Sequence, residues 1–275
     1  TEVDTVGYFK SSNDLFNQIQ ENARWTQLGN MHGGIPSDCP HRERRGYTGD
    51  GQLAARAAMY HFDMATFYTK WLDDIFDAQN SQTGYVPNTT PFQDGGGGTA
   101  WGSACVLIPW DMYLHYGDIR ILETYYASMK AWFDYMTGEL DERGILVNQG
   151  LGEWVPPDLV DLPPDFVNSC YYYLNCQLLD KIADILNQPN DRLGFQEAAK
   201  KCAADINKIF YNPKSGFYAT GSQGADVLPL AFGIVPDEHI PAVLAHLKNH
   251  VVNDCQGHFD TGILATPLLL QVLTD

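Results

Sequence analysis

Residues 51–79 read GQLAARAAMYHFDMATFYTKWLDDIFDAQ, two helix-length segments of opposite character. In the second, residues 63–79, the side chains Phe67, Tyr68, Trp71, Leu72, Ile75 and Phe76 recur at i, i+1, i+4, i+5 and so share one face of a helix. The first, residues 51–62, is apolar nearly all round and offers water little polar face, so it belongs inside. An enclosed helix followed by a one-sided helix is the start of an inner and an outer layer.

The alternation continues in both directions. Upstream, Ser11 to Asp14 has the form of a capping box, and Leu15, Ile19 and Ala23 then fall on one face, which is expected to be buried. Downstream, residues 101–116 are again apolar all round, with Trp110 read as core, and residues 118–137 are one-sided through Leu122, Tyr126, Met129, Phe133 and Met136. Further helices are expected at 165–187, 191–210, 224–233, 237–251 and 261–273. Strand-like alternation is confined to short stretches such as Gly144–Asn148 and Phe217–Ala219. The pattern is that of an all-α toroid built from helix pairs. It yields about ten helices, whereas a six-hairpin toroid needs two per hairpin, so the last pair is expected to lie outside the chain.

Between the helices run long Gly-, Pro-, Asn- and Asp-rich loops at 29–50, 80–100 and 149–164. Loops of that length inside a helical domain usually carry function. Residues 1–10 read as a linker from a preceding domain and 11–275 as the helical domain. A chain that starts at Thr1 is expected to be processed or part of a longer polypeptide with further domains.

Composition narrows the function classes. Hydrophobic residues at 44% and charged residues at 19% are ordinary for a soluble globular chain. A formal net charge of −17 repels phosphate backbones, so nucleic acid is excluded as a partner. No apolar run reaches membrane-spanning length, and no signal peptide opens the chain. The six cysteines, Cys39, Cys105, Cys170, Cys176, Cys202 and Cys255, form no CxxC and no recognised metal spacing, and are expected to be buried small hydrophobes. His32 and His41 lack companion ligands and read as structural or pocket-lining. Compartment stays open.

The loop at 35–52, IPSDCPHRERRGYTGDGQ, concentrates Asp38, Glu43 and Asp50 beside Arg, His and Tyr between two helices. Carboxylates held by a bent loop suit a hydroxyl-rich ligand, because each accepts several hydrogen bonds, and one kept protonated can serve as a general acid. The plainer reading is a solvated charged loop with local arginine pairs. Arg42, Arg44 and Arg45 flank Glu43, and cations lower a carboxyl pKa, so an acid role for Glu43 requires that they be engaged elsewhere.

The run from Asp38 through Cys39, Pro40, His41, Arg42, Glu43, Arg44, Arg45, Gly46, Tyr47, Thr48 and Gly49 to Asp50 resembles the signature loop of glycoside hydrolase family 78, the bacterial and fungal α-L-rhamnosidases. The resemblance extends from Val6-Gly7-Tyr8-Phe9 to His258-Phe259-Asp260-Thr261-Gly262. It implies an (α/α)6 barrel that cleaves terminal α-L-rhamnose with inversion, needs neither metal nor organic cofactor, and acts on a rhamnose-containing glycoside or polysaccharide. It places Glu43 as general acid and Asp38, Asp50 and Arg42 on the sugar hydroxyls. Tyr47 takes a place often held by Trp, a flat wall for the ring. Trp101-Gly102 and Gly152-Glu153-Trp154 resemble further family segments, which makes Trp101 and Trp154 stacking residues and Glu153 a hydroxyl ligand. Ser103 stands where many members carry Asp. His258 falls on a position near the sugar.

An inverting glycosidase needs two carboxyl groups roughly 6.5–9.5 Å apart, one protonating the leaving oxygen and one activating water. The resemblance puts the base beyond residue 275. Within the chain Glu153 and Asp260 are the substitutes to consider, and neither matches the family's base position. The competing expectations are a trehalase-like or glucoamylase-like toroid enzyme, since toroids share architecture without sharing substrates, and a non-catalytic sugar-binding domain.

Overall fold

The computed structural model describes residues 2–93, 97–147 and 150–274. They form two compact units, Thr1–Gly95 with Trp101–Trp132, and Gly96–Ala100 with Phe133–Asp275.

The first unit opens with α1 (Asp14–Asn30), the hairpin of β1 (Met31–His32) and β2 (Ile35–Pro36), then β3 (Gly46–Tyr47) leading directly into α2 (Thr48–His61). It continues with α3 (Ala65–Ala78) and β4 (Thr89–Thr90), which pairs antiparallel with β3. Trp101 and Gly102 of α4 (Thr99–Gly102), then α5 (Ala104–Tyr116) and α6 (Ile119–Gly138) as far as Trp132 complete it. Helices α2, α3 and α5 enclose a core in which Met59, Phe62, Tyr68, Trp71, Leu72 and Ile75 are fully buried. The expected face of α3 is the one observed, with Phe67, Tyr68, Trp71, Leu72 and Ile75 inside.

Four expectations change here. The capping box at Ser11 is replaced by a start two residues later: Asn13 is the N-cap, its side chain accepting the Leu15 N–H at 2.9 Å, while Ser11 Oγ accepts from Asn13 N–H. The apolar face of α1 is not buried. Leu15, Phe16 and Ile19 are each more than half exposed, and no residue of the helix is buried. Periodicity says which side chains share a face; it does not say that a partner meets that face. Nor are the two enclosed segments enclosed all round. Helix α2 exposes Arg56, Ala57 and Tyr60, and residues 101–116 break at Ser103, whose carbonyl takes the Val106 and Leu107 N–H groups to start α5 afresh. Trp110 is half-buried rather than core. Residues 4–7 lie along the end of α2: the Val6 and Gly7 N–H groups donate to His61 O, and a bridge joins Thr5 to Phe62.

The second unit is built on the antiparallel pair α7 (Pro164–Ile185) and α8 (Pro189–Phe210), joined by the short connection 186–188. Both helices start on a proline, whose missing N–H is one the first turn leaves unpaired anyway. The hairpin of β5 (Tyr211–Asn212) and β6 (Phe217–Tyr218) follows, then α9 (Gln223–Phe232), α10 (Ile240–Asn249), a π-turn at His250–Asp254, and α11 (Thr266–Val272). Phe166, Cys170, Cys176, Leu179, Ile182 and Val227 form its core. The strand expected near Phe217 is there, and the one at 144–148 is a single bridge from Leu140 to Leu146, Asn148 lying outside the described residues. The last helix begins at Thr266, not 261; ahead of it the Leu264 and Ala265 N–H groups go to Glu153 and the Ile263 N–H to Trp154 O. Four of the cysteines are buried as expected, but Cys39 and Cys255 are only half-buried.

Candidate active site

In the first unit, the signature loop is held at both ends. Its C-terminal end is the β3–β4 pair, and the Thr48 N–H donates to Asn88 O at 2.8 Å. Its N-terminal end is anchored by Ser37, whose N–H and hydroxyl both donate to Asn30 O. Between them the chain turns tightly, the Arg42 and Arg44 N–H groups both reaching Cys39 O and Arg44 adopting a left-handed φ of 54°. The turn draws Asp38, Cys39 and Glu43 together, so that one donor atom from each lies within 4.8 Å of the others.

Glu43 faces partners on both oxygens. The Tyr47 hydroxyl donates to Oε1 at 3.5 Å, and Arg42 Nε lies 3.6 Å from Oε2 with its side chain 70% exposed. Two of the three flanking arginines are engaged elsewhere, Arg44 Nε donating to Pro40 O at 2.7 Å and Arg45 bonding the Tyr47 hydroxyl, whereas Arg42 pairs with Glu43 itself, contrary to the expectation that all three be turned away. Burial, with Glu43 and Asp38 adding to it, pushes the Tyr47 phenol above its usual range, so Tyr47 stays a hydrogen-bond donor.

Asp50 lies on the first turn of α2, where the Trp101 indole bonds its carboxylate. The indole reaches it because residue 49 is glycine: a Cβ there would lie 2.5 Å from the Trp101 ring. Burial, then the charge of Asp38, raises the Asp50 carboxyl to about 6. Asp38 and Asp50 share the wall of a cavity of about 250 Å³ with Asn30, Ser37, Met31 and Tyr68. One oxygen of Asp38 is buried without a hydrogen-bond partner. Trp101, expected as a stacking wall, is fully buried as Asp50's partner.

In the second unit, Glu153 is held among backbone donors. Its Oε1 accepts the N–H groups of Leu264 and Ala265 at 3.2 Å, and Gly262 contributes a further hydrogen bond. Its Oε2 is buried without a partner. Burial dominates these bonds and lifts the carboxyl to about 7. Neighbouring Trp154 is 43% exposed, and its carbonyl accepts the Ile263 N–H at 2.9 Å. Gly262 permits this approach, since a Cβ would lie 2.3 Å from Trp154 O. His258 is exposed on the same stretch, its carbonyl accepting from Gln223 Nε2. Asp260 is fully engaged: both oxygens accept the Gln223 N–H, and Oδ2 lies 2.8 Å from His250 Nε2.

The structure thus brings Asp38, Arg42, Glu43, Tyr47, Asp50 and Trp101 to one end of α2 in the first unit, and Glu153, Trp154 and His258 to the 258–265 segment in the second. Sequence reading missed Cys39 as part of the acidic cluster. Its thiol donates to Asp38, which raises its pKa, and its place directly after Asp38 in a Pro-bent loop was the available signal.

Comparison with known proteins bears on what this arrangement serves. Residues 4–275 match the family model described as the bacterial alpha-L-rhamnosidase 6 hairpin glycosidase domain. An α-L-rhamnosidase of Formosa agariphila is 32% identical over 296 residues, covering 100% of this chain and 31% of the relative. One of Streptomyces avermitilis is 33% identical over 97% of this chain and 25% of its own length. Among solved structures, the α-L-rhamnosidase of Dictyoglumus thermophilum superposes with a TM-score of 0.94 at 34% identity, over 100% of this chain and 32% of that one. The Streptomyces avermitilis enzyme complexed with L-rhamnose gives 0.93 at 30% identity, over 100% of this chain and 26% of that one. The chain therefore spans about a third or less of the relatives it matches. On this match, over nearly every residue, the chain belongs to the bacterial α-L-rhamnosidase six-hairpin glycosidase domain family, and its all-α fold is that of the six-hairpin glycosidases.

Proposed function

We propose that the polypeptide carrying this chain is an inverting α-L-rhamnosidase in which Glu43 is the general acid, acting on a rhamnose-containing glycoside or polysaccharide. The observation that carries this reading is the grouping of Asp38, Glu43 and Asp50 around one end of α2, with the flanking arginines 44 and 45 turned to other partners. Glu43 would protonate the leaving glycosidic oxygen, with the Tyr47 hydroxyl orienting its carboxyl group. The unpartnered oxygen of Asp38 would accept a sugar hydroxyl. Asp50, protonated below about pH 6, could donate to one as well as accept. Arg42 completes the proposed sugar site of the first unit, where Trp101 acts through Asp50; Glu153, Trp154 and His258 are proposed as sugar-contacting residues of the second unit, and the water-activating base is proposed to lie beyond residue 275. The family membership supports the sugar; the relatives' greater length is consistent with a base supplied from elsewhere in the polypeptide.

The test is hydrolysis of a panel of aryl glycosides by the full polypeptide and by its Glu43→Gln form. The expected outcome is turnover of the α-L-rhamnoside alone, with kcat reduced by about 10²–10⁴-fold in the variant, the usual contribution of a positioned acid. Aryl leaving groups of low pKa should recover part of that loss. Turnover of another sugar would overturn the substrate, and unchanged kcat in Glu43→Gln would overturn the acid. Binding of rhamnose with no turnover of any glycoside would favour a sugar-binding domain instead.

A further inference from the structure

In the second unit, His250 opens the π-turn, Cys255 caps its end, and Asp260 lies in the segment that follows it. Nothing in the proposed hydrolysis uses them. His250 Nε2 stands 2.8 Å from Asp260 Oδ2 and 3.6 Å from Cys255 Sγ, and the three donor atoms all lie within 4.8 Å of one another. On the other side of the ring, Nδ1 lies 3.0 Å from Asp254 Oδ2.

These distances are close to those of a metal face. Zinc bonds of about 2.0–2.1 Å to nitrogen, about 2.0–2.2 Å to oxygen and about 2.3 Å to sulfur, arranged tetrahedrally, separate N from S by about 3.6 Å and N from O by about 3.4 Å. The nitrogen–sulfur pair already has that spacing. The nitrogen–oxygen pair is at hydrogen-bond distance and would open by about half an ångström once the metal replaces the proton. An outer carboxylate is also in place, because a ligating imidazole is usually oriented by a carboxylate on its other nitrogen, the position that Asp254 holds. Asp260 is itself oriented by the Gln223 N–H at the start of α9. All three ligand residues are half-buried, which leaves a fourth coordination position open to water.

We propose that His250, Cys255 and Asp260 form a zinc-class metal site, with Asp254 as its outer carboxylate. A nitrogen, a thiolate sulfur and one carboxylate oxygen select a borderline cation such as Zn²⁺ over Ca²⁺ or Mg²⁺, which demand oxygen. Binding displaces the protons on Nε2 and Sγ to solvent. An occupied site ties the π-turn to Asp260 and so to the start of α9, fixing the segment that carries His258. It is independent of whether the polypeptide hydrolyses rhamnosides.

The test uses the full polypeptide, stripped with chelator under reducing conditions and titrated with Co²⁺ and then Zn²⁺. The expected result is a thiolate-to-cobalt charge-transfer band with intense visible bands of tetrahedral Co²⁺, bleached by Zn²⁺, and a Tm raised by several degrees in Zn²⁺. Cys255→Ser should abolish the charge-transfer band and weaken binding by at least about a hundredfold, and Asp254→Asn should weaken it by about ten- to a hundredfold. Circular dichroism of each variant checks that it is folded. Cys39→Ser, in the other cluster of potential ligands, should leave the spectrum unchanged. No thiolate band in the wild type, a band that survives Cys255→Ser, or one lost with Cys39→Ser would each overturn the site.

Discussion

Single side chains in this molecule are set by what surrounds them. Asp50 has a folded-state pKa of about 6 against an ordinary 3.8 because burial, and then Asp38, disfavours its charge. Between those two values the folded chain holds a proton that the unfolded chain has released, so this group weakens the fold progressively as pH rises through that window, and the penalty is complete above it. Asp50→Asn should therefore stabilise the chain more at pH 8 than at pH 5, by about 1–2 kcal/mol in paired urea titrations. An equal gain at both values would show that titration is not the cause. Glycine at residue 49 is set the same way. Gly49→Ala forces a methyl to 2.5 Å from the Trp101 indole and is expected to cost about 1–3 kcal/mol. Gly29→Ala, in α1 with open space around it, should gain about 0.5–1 kcal/mol from helix propensity. Thermal melts of the two variants decide between packing and backbone freedom.

At the scale of elements, the 262–265 segment shows how a carboxylate can stand where a helical turn was expected. The N–H groups of Leu264 and Ala265 find their acceptor in Glu153, and α11 begins only after them. Glu153→Ala should leave those buried donors unpaired, cost about 1–3 kcal/mol, and speed hydrogen exchange at the two amides. Glu153→Gln keeps an acceptor at Oε1 while removing a buried charge. Because the Glu153 pKa is raised to about 7, the wild type carries that charge's penalty above pH 7, so the Gln variant should compare best with wild type at pH 8 and worst near pH 5. A Gln variant as unstable as Ala at every pH would show that the backbone bonds are not what Glu153 contributes. Helix α1 is the opposite case, an element whose local capping is complete while its apolar face meets solvent.

Over the whole molecule, charge is the property that composition controls. A net charge of −17 with a pI near 4.6 keeps copies apart at neutral pH and lets them associate as the charge vanishes. Turbidity of residues 1–275 should peak near pH 4.6, and the chain should flow through a phosphate-bearing cation exchanger at pH 7 in low salt. Retention there would mean that a local basic surface outweighs the total. No helix among the described residues is long and apolar enough to cross a membrane.

The sequence by itself determined the class of fold and singled out the loop on which the proposed chemistry rests. Helical periodicity is a local property, so α3, α6, α7 and α8 were legible within a few residues, and the run from Asp38 to Asp50 was distinctive enough to point to a family. What the sequence could not carry is anything that depends on a neighbour distant along the chain. Whether the face of α1 is covered, that Trp101 is buried on Asp50, that Glu153 holds a segment 111 and 112 residues away, and that His250, Cys255 and Asp260 converge were decided only in the tertiary structure. The physical reason is common to all four. Burial, desolvation and hydrogen-bond partners are properties of the surroundings, and folding brings those surroundings from elsewhere in the sequence.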